Sequence, residues 1–160
     1  MAVFWAAARV IVGFVFLWSF LDKLFGLGFS ATAGWLDGRS PTSGFLQHGA
    51  SNGPGVFFRD LTGGGGGWLD WVFMITMAAV GLGLVLGIMT RLAALGGIVW
   101  MGLFYLSTYA PTDNPVVDIH VVVVLVLVGI MLSGAGRAYG LGRWWESRWT
   151  SGRAPWLLGG

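Results

Sequence analysis

The sequence predicts an all-α integral membrane protein, a four-transmembrane-helix bundle with a long outer loop between its first two helices. Three observations carry that expectation. Only 10% of the 160 residues are charged and 56% are hydrophobic, where soluble domains carry roughly 25% charged residues. Four stretches approach the ~20 apolar residues that a helix needs to cross ~30 Å of hydrocarbon. The arginines, finally, gather at one set of span ends. With a mean hydropathy of +0.76, the chain is also too apolar for disorder. A single membrane domain, residues 1–160, is expected.

The first span covers residues 3–25 and carries Arg9, Asp22 and Lys23. Arg9, the apolar run and Ala31-Thr32-Ala33 resemble a secretory signal with its cleavage site. Asp22-Lys23 and the polar stretch behind them predict a retained helix instead. Residues 26–70 form the outer loop, mixing Phe29, Trp35, Phe45, Phe57 and Phe58 with turn words such as Gly53-Pro54-Gly55. Loops of this length are usually functional or disordered, and the aromatics predict short interfacial helices packed on the bundle mouth. Residues 63–67 are five glycines. A phosphate-cradling loop would be followed by Lys-Ser/Thr, so a flexible linker is expected. His48 has no second metal ligand nearby.

The second span, residues 71–89, and the third, 92–109, are separated only by Thr90-Arg91, which predicts a tight helical hairpin turning there. Gly81, Gly83 and Gly87 give the second helix a small-residue face for close packing. The fourth span, 115–132, begins behind Asp113-Asn114-Pro115, where Asn or Asp can cap and Pro can occupy the first helical position. Its valine-rich run has strand propensity, but an isolated strand in lipid leaves its backbone unpaired, so a helix is expected. Asp118 and His120 lie about 200° apart on that helix and cannot both face the bundle centre. The tail, 137–160, interleaves Arg143, Arg148 and Arg153 with Trp144, Trp145, Trp149 and Trp156. That is the composition of an interfacial segment on anionic lipid rather than of a nucleic-acid binder.

Positive residues near span ends stay cytoplasmic. One side holds Arg9, Arg91, Arg137, Arg143, Arg148 and Arg153 against Glu146, net +5; the other holds Lys23, Arg39 and Arg59 against six aspartates, net −3. Both termini are therefore expected inside, in a multi-pass protein of the cytoplasmic membrane. With no cysteine and two histidines, the chain has no thiol chemistry or Fe–S cluster and little basis for an all-protein metal or bis-His haem site. No metal, haem or flavin motif is evident. Redox chemistry here needs a bound small molecule or a partner.

Ionisable residues inside spans cost on the order of 2.5–3.5 kcal/mol each and usually serve function. Arg9, about 10 Å into the first helix, either snorkels to the headgroups or meets a carbonyl, a lipid or a ligand. Asp22-Lys23 is either an interfacial charge pair or part of a site. His120 is either a proton carrier or a hydrogen-bonded structural residue. The outer ends of the first and fourth helices are expected to meet, bringing Asp22-Lys23 within salt-bridge or water-bridge reach of Asp118 or His120.

The words RVIVGFVFLWSFLDKLFG, GIMTRLAAL and NPVVDIHVVVVLVLVGIMLSGAGRAYGLGRWW, in this order, together with SPTSGF and GWLDG in the loop, resemble the DoxX/DoxD family of four-helix membrane proteins. The resemblance spans roughly residues 8–146. Its DoxD side includes the large subunit of thiosulfate:quinone oxidoreductase. The resemblance implies a quinone, menaquinone or ubiquinone, as electron acceptor and a small reduced sulfur compound such as thiosulfate as donor. It points to Asp22, Lys23, Asp118 and His120 as catalytic candidates and to Arg9, Arg91 and Asn114 as cofactor-binding candidates. Family members often carry two acids before the His; here Asp118-Ile119-His120 has one, which bears on any role needing paired carboxylates. The implied partners are membrane lipids and other membrane or peripheral redox subunits. A non-catalytic accessory subunit of a redox or respiratory complex, and a lipid or small-molecule binding protein, are the competing readings.

Overall fold

α1, Ala2–Phe25, ends at Gly26, whose φ of 67° is the left-handed conformation that closes a helix without a Cβ clash. The connection that follows folds over one end of the molecule through a 3-10 turn, Trp35–Asp37, a π-type turn, Phe45–Gly49, and helix α2, Gly53–Thr62. α3, Trp68–Leu86, and α4, Thr90–Ser107, form a hairpin. α5, Ile119–Ser133, breaks at Gly134 into the short α6, Ala135–Ala138, and α7, Gly142–Trp149, follows. This computed structural model describes residues 1–109 and 116–149. Among the described residues, α1, α3 and α4 are long and apolar enough to cross a membrane, and α5 is apolar but has 15 residues.

α1 and α4 each pack against both α3 and α5, so the four helices form a ring with the first and last as neighbours. Glycines close the α1–α3 seam. A Cβ on Gly13 would lie 2.7 Å from Leu84 Cβ, and one on Gly81 would lie 2.7 Å from the Leu17 nitrogen. Backbones approach that closely only where side chains are absent. Phe16, Met74, Leu84, Ala94, Leu127 and Ile130 fill the interior. Ile11, Phe14, Val15, Ile75 and Leu125 are exposed on the outside. Helices apolar on both faces suit lipid, not water.

The bundle has two unlike ends. The loop end collects the C-termini of α1 and α4, the N-termini of α3 and α5, and the connection. The hairpin end collects the start of α1, the α3–α4 turn and α6.

The hairpin helices and the start of α5 differ from the sequence expectation. The hairpin turns at residues 87–89, not at Thr90-Arg91, so the helices run 68–86 and 90–107 instead of 71–89 and 92–109. Gly87 (φ 74°) and Met89 (φ 49°) are both left-handed, and backbone geometry ends the helix while the side chains are still apolar. α5 begins at Ile119 instead of 115, because Asp118 is its N-cap. Asn114 and Pro115 lie outside the described residues, as do residues 150–160 of the expected tail segment. The pentaglycine run is a packed turn, not a flexible linker. All five residues have positive φ, and Gly64, Gly65 and Gly66 bond to Gln47, Thr62 and Thr42. Only glycine adopts five such conformations in a row without strain.

Candidate functional site

Asp22 is 1% exposed at the loop end. Its carboxylate accepts the backbone N–H groups of Phe29 (3.2 Å), Ser30 (2.7 Å) and Ala31 (3.1 Å) and the Ser30 hydroxyl (2.6 Å). Four donors offset the cost of burying a charge, and they fold the chain back just after Gly26. Ser30 Oγ in turn accepts from Lys23 Nζ at 3.0 Å. A hydrogen-bonded chain therefore leads from a buried carboxylate, through a serine, to a half-buried ammonium.

A second buried carboxylate works in parallel. Asp70, in the first turn of α3, accepts from Ser40 Oγ (2.9 Å), Thr42 N (3.2 Å) and Thr42 Oγ1 (2.6 Å). An anion at a helix N-terminus is also favoured by the macrodipole. The two carboxylates pin residues 29–31 and 40–42 over the bundle.

Beneath them lies a cavity of about 320 Å³, within the ~300–1,000 Å³ range of small-molecule sites. Phe45, Phe58, Phe73, Trp100 and Phe104 supply ring faces, and Lys23 and Ser30 supply polar groups. Phe104 is the hub of the aromatic wall, with ring centroids 5.1 Å from Phe45, 5.7 Å from Trp100 and 6.4 Å from Phe73. Val123 of α5 completes the lining. The arrangement fits a flat apolar molecule with one or two hydrogen-bond acceptors.

The residues expected to form the site divide into three groups. Lys23 lines the cavity, with Asp22 holding it from behind. Asp118 caps α5, accepting from His120 N at 3.0 Å and Val121 N at 3.2 Å, and its other oxygen meets His120 Nδ1 at 2.5 Å. The His120 ring stands 6.1 Å from Phe104, and neither Asp118 nor His120 lines the cavity. Among the described residues no salt bridge joins Asp22-Lys23 to Asp118-His120; each carboxylate already has its own donors. Arg9 and Arg91 form the third group, at the hairpin end, and neither lines the cavity. Arg9 is 0% exposed and donates to the carbonyls of Leu84, Val85 (3.1 Å) and Tyr139 (2.7 Å), so of the partners open to it the carbonyls are present. Asn114 is outside the described residues.

Sequence reasoning missed Ser30, the Asp70–Thr42 link and the aromatic wall. One sign was available. Trp100 sits mid-span, whereas tryptophan in membrane helices favours the interfaces.

The sequence profile of the DoxX family matches residues 4–110. The chain belongs to the DoxX family. The matched stretch contains α1 from its third residue through α4 and every cavity-lining residue except Val123; Asp118 and His120 lie beyond it. No curated protein and no solved structure matches this DoxX chain.

Proposed function

We propose that this DoxX protein is a multi-pass protein of the cytoplasmic membrane that binds a quinone at the loop end and takes part in passing electrons to it from a small reduced donor. The observation that carries the reading is the aromatic cavity with one ammonium at its rim. In this reading α5 and α6 together make the fourth crossing. The hairpin end, rich in arginine, faces the cytoplasm.

A quinone head is a flat ring with carbonyl oxygens, and the chain's residues suit it. The rings of Phe45, Phe73, Trp100 and Phe104 offer faces and edges for stacking. Lys23 gives one N–H to Ser30 and has two more for a carbonyl oxygen. Asp22 fixes the ammonium's position through Ser30. Because Ser30 is solvent-exposed, the Lys23–Ser30–Asp22 chain also offers protons a route between the cavity rim and water. A bound quinone supplies a two-electron, two-proton acceptor, be it menaquinone or ubiquinone.

Thiosulfate, or another small reduced sulfur compound, is the donor that the family resemblance suggests. The chain has no thiol to relay its electrons, so the donor meets the quinone at the rim or a partner subunit carries electrons between them. Charge favours the partner. Lys23 is the one charged residue lining the cavity, in a region that otherwise carries an excess of aspartates. The competing reading, an accessory subunit of a redox complex, draws on the same fact. The test is purified protein in nanodiscs, assayed for binding of ubiquinone and menaquinone analogues and for thiosulfate-dependent quinone reduction. Binding with turnover is the expected result. Binding without turnover moves the protein to the accessory reading, and binding of lipid but of neither quinone overturns the proposal.

A further inference from the structure

We infer that Trp100 is a gate through which a lipid-soluble ligand passes from the bilayer into the cavity. The inference rests on the cavity being a ligand site, not on the ligand being a quinone. A second hollow of about 620 Å³ lies between α3 and α4. Thr76 is its one hydroxyl-bearing residue, and Leu82, Leu86, Leu95 and Val99 along it are exposed. In a membrane helix pair such a face meets acyl chains, so this groove is filled from the bilayer. Trp100 is the one residue lining both the groove and the cavity. The indole is thus a partition between the groove and the aromatic site.

The partition is latched. Trp100 Nε1 donates to Thr76 Oγ1 across the α3–α4 seam at 2.8 Å, while the ring packs edge-on against Phe73 at 5.3 Å and 89°. Helical side chains lean toward the preceding turn, and the residue one turn before Trp100 is Gly96. A Cβ there would already lie 3.1 Å from Val80 Cγ2, so Val80 of α3 is the side chain that a swing of the indole toward the groove must displace. The α1–α3 seam offers no such passage, because Gly13 and Gly81 bring its backbones together.

The chain has no cysteine, so a single Met101→Cys substitution places one nitroxide on the cavity wall. Electron paramagnetic resonance in nanodiscs then reads access of lipid-soluble oxygen against a water-soluble nickel chelate. Thr76→Val keeps the side chain's shape and removes the latch. Oxygen access should rise about three-fold, the ratio that a typical intramembrane hydrogen bond sets, with nickel access unchanged. Trp100→Phe should reproduce the rise, and Val99→Trp, which fills the groove, should reverse it. Oxygen access indifferent to all three changes, or a rise in nickel access instead, overturns the gate. So does a fall in oxygen access on Val15→Trp with none on Val99→Trp, since Val15 is the exposed apolar residue among those lining the cavity. Added ubiquinone or menaquinone analogue should immobilise the label; if it does not, the quinone reading fails while the oxygen data still judge the gate.

Discussion

At the hairpin end a guanidinium is sealed among backbone carbonyls; at the loop end a carboxylate is sealed among backbone amides. Arg9 and Asp22 are buried to the same degree on the same helix, and each gathers chain segments far apart in sequence. Their surroundings differ. Arg9 reaches the last carbonyls of α3 and the strand of chain after α6, in a corner where glycines let backbones touch: a Cβ on Gly140 would lie 2.8 Å from the Gly136 oxygen. Arg9 lines neither the cavity nor the groove. Asp22 organises a loop and, through Ser30, a lysine that faces a cavity. The comparison teaches that burial of a charge in a membrane helix does not by itself mark a site. What matters is whether the hydrogen-bonding chain it starts ends on backbone or on open space.

The sharpest way to break that distinction is Arg9→Leu. It leaves the Leu84, Val85 and Tyr139 carbonyls without their charged donor in a closed corner. A loss of about 3 kcal/mol or more is expected, read as a lower thermal unfolding temperature in detergent. Quinone affinity of the folded fraction should not change. Arg9→Lys should recover only part of the stability, because a point charge cannot fork toward three carbonyls. A fall in affinity without a fall in stability would put Arg9 in the binding machinery.

Asp22→Asn is expected to act on both properties. An amide nitrogen would face N–H donors that now converge on a carboxylate, costing about 1–3 kcal/mol, and Ser30 would lose the partner that orients it. Unfolding temperature and quinone affinity should fall together. Lys23→Met is expected to separate them. Its ammonium is half-buried and bonded to a surface serine, so stability should move by no more than ~0.5 kcal/mol, while loss of one charge-assisted hydrogen bond should weaken quinone binding about tenfold or more. If Lys23→Met binds as tightly as the parent, the ammonium is an ordinary interfacial charge and the loop end has no site built on it.

Much of the hairpin end was legible in the sequence and much less of the loop end. A backbone carbonyl was among the partners that the depth of Arg9 in the first helix and the lack of acids in the spans at that end left open to it, beside snorkelling, a lipid or a ligand. The helical character of the spans follows from hydropathy alone. The position of the hairpin turn does not, because Gly87, Ile88 and Met89 are apolar and only their left-handed backbone ends the helix. The cavity was invisible for a different reason. Its walls come from α1, the connection, α2, α3, α4 and α5, and no local pattern encodes such a convergence. Asp70 shows the same limit. It reads as one more loop-side acid until Ser40 and Thr42, some thirty residues earlier, are seen bonded to it.

The smallest effect is expected at Asp118, and it tests how far the loop-end site extends. Asp118 holds the first N–H groups of α5 and the His120 ring, and His120 stands 6.1 Å from Phe104 without lining the cavity. Asn is as good an N-cap as Asp. In Asp118→Asn the cap bonds persist, and what is lost is a negative charge at the helix N-terminus, worth about 0.3–1 kcal/mol, together with the carboxylate contact to His120 Nδ1. Asp118→Ala should cost about 1 kcal/mol more by removing the cap itself. Quinone affinity should hold in both variants, since Asp118 does not line the cavity. The informative measurement is therefore quinone reduction by Asp118→Asn. If binding and unfolding temperature stay near the parent while reduction is lost, the Asp118–His120 pair serves the chemistry through the aromatic wall. The distinction between the two ends would then rest on more than which residues touch open space, because a helix cap with no access to the cavity would belong to its function.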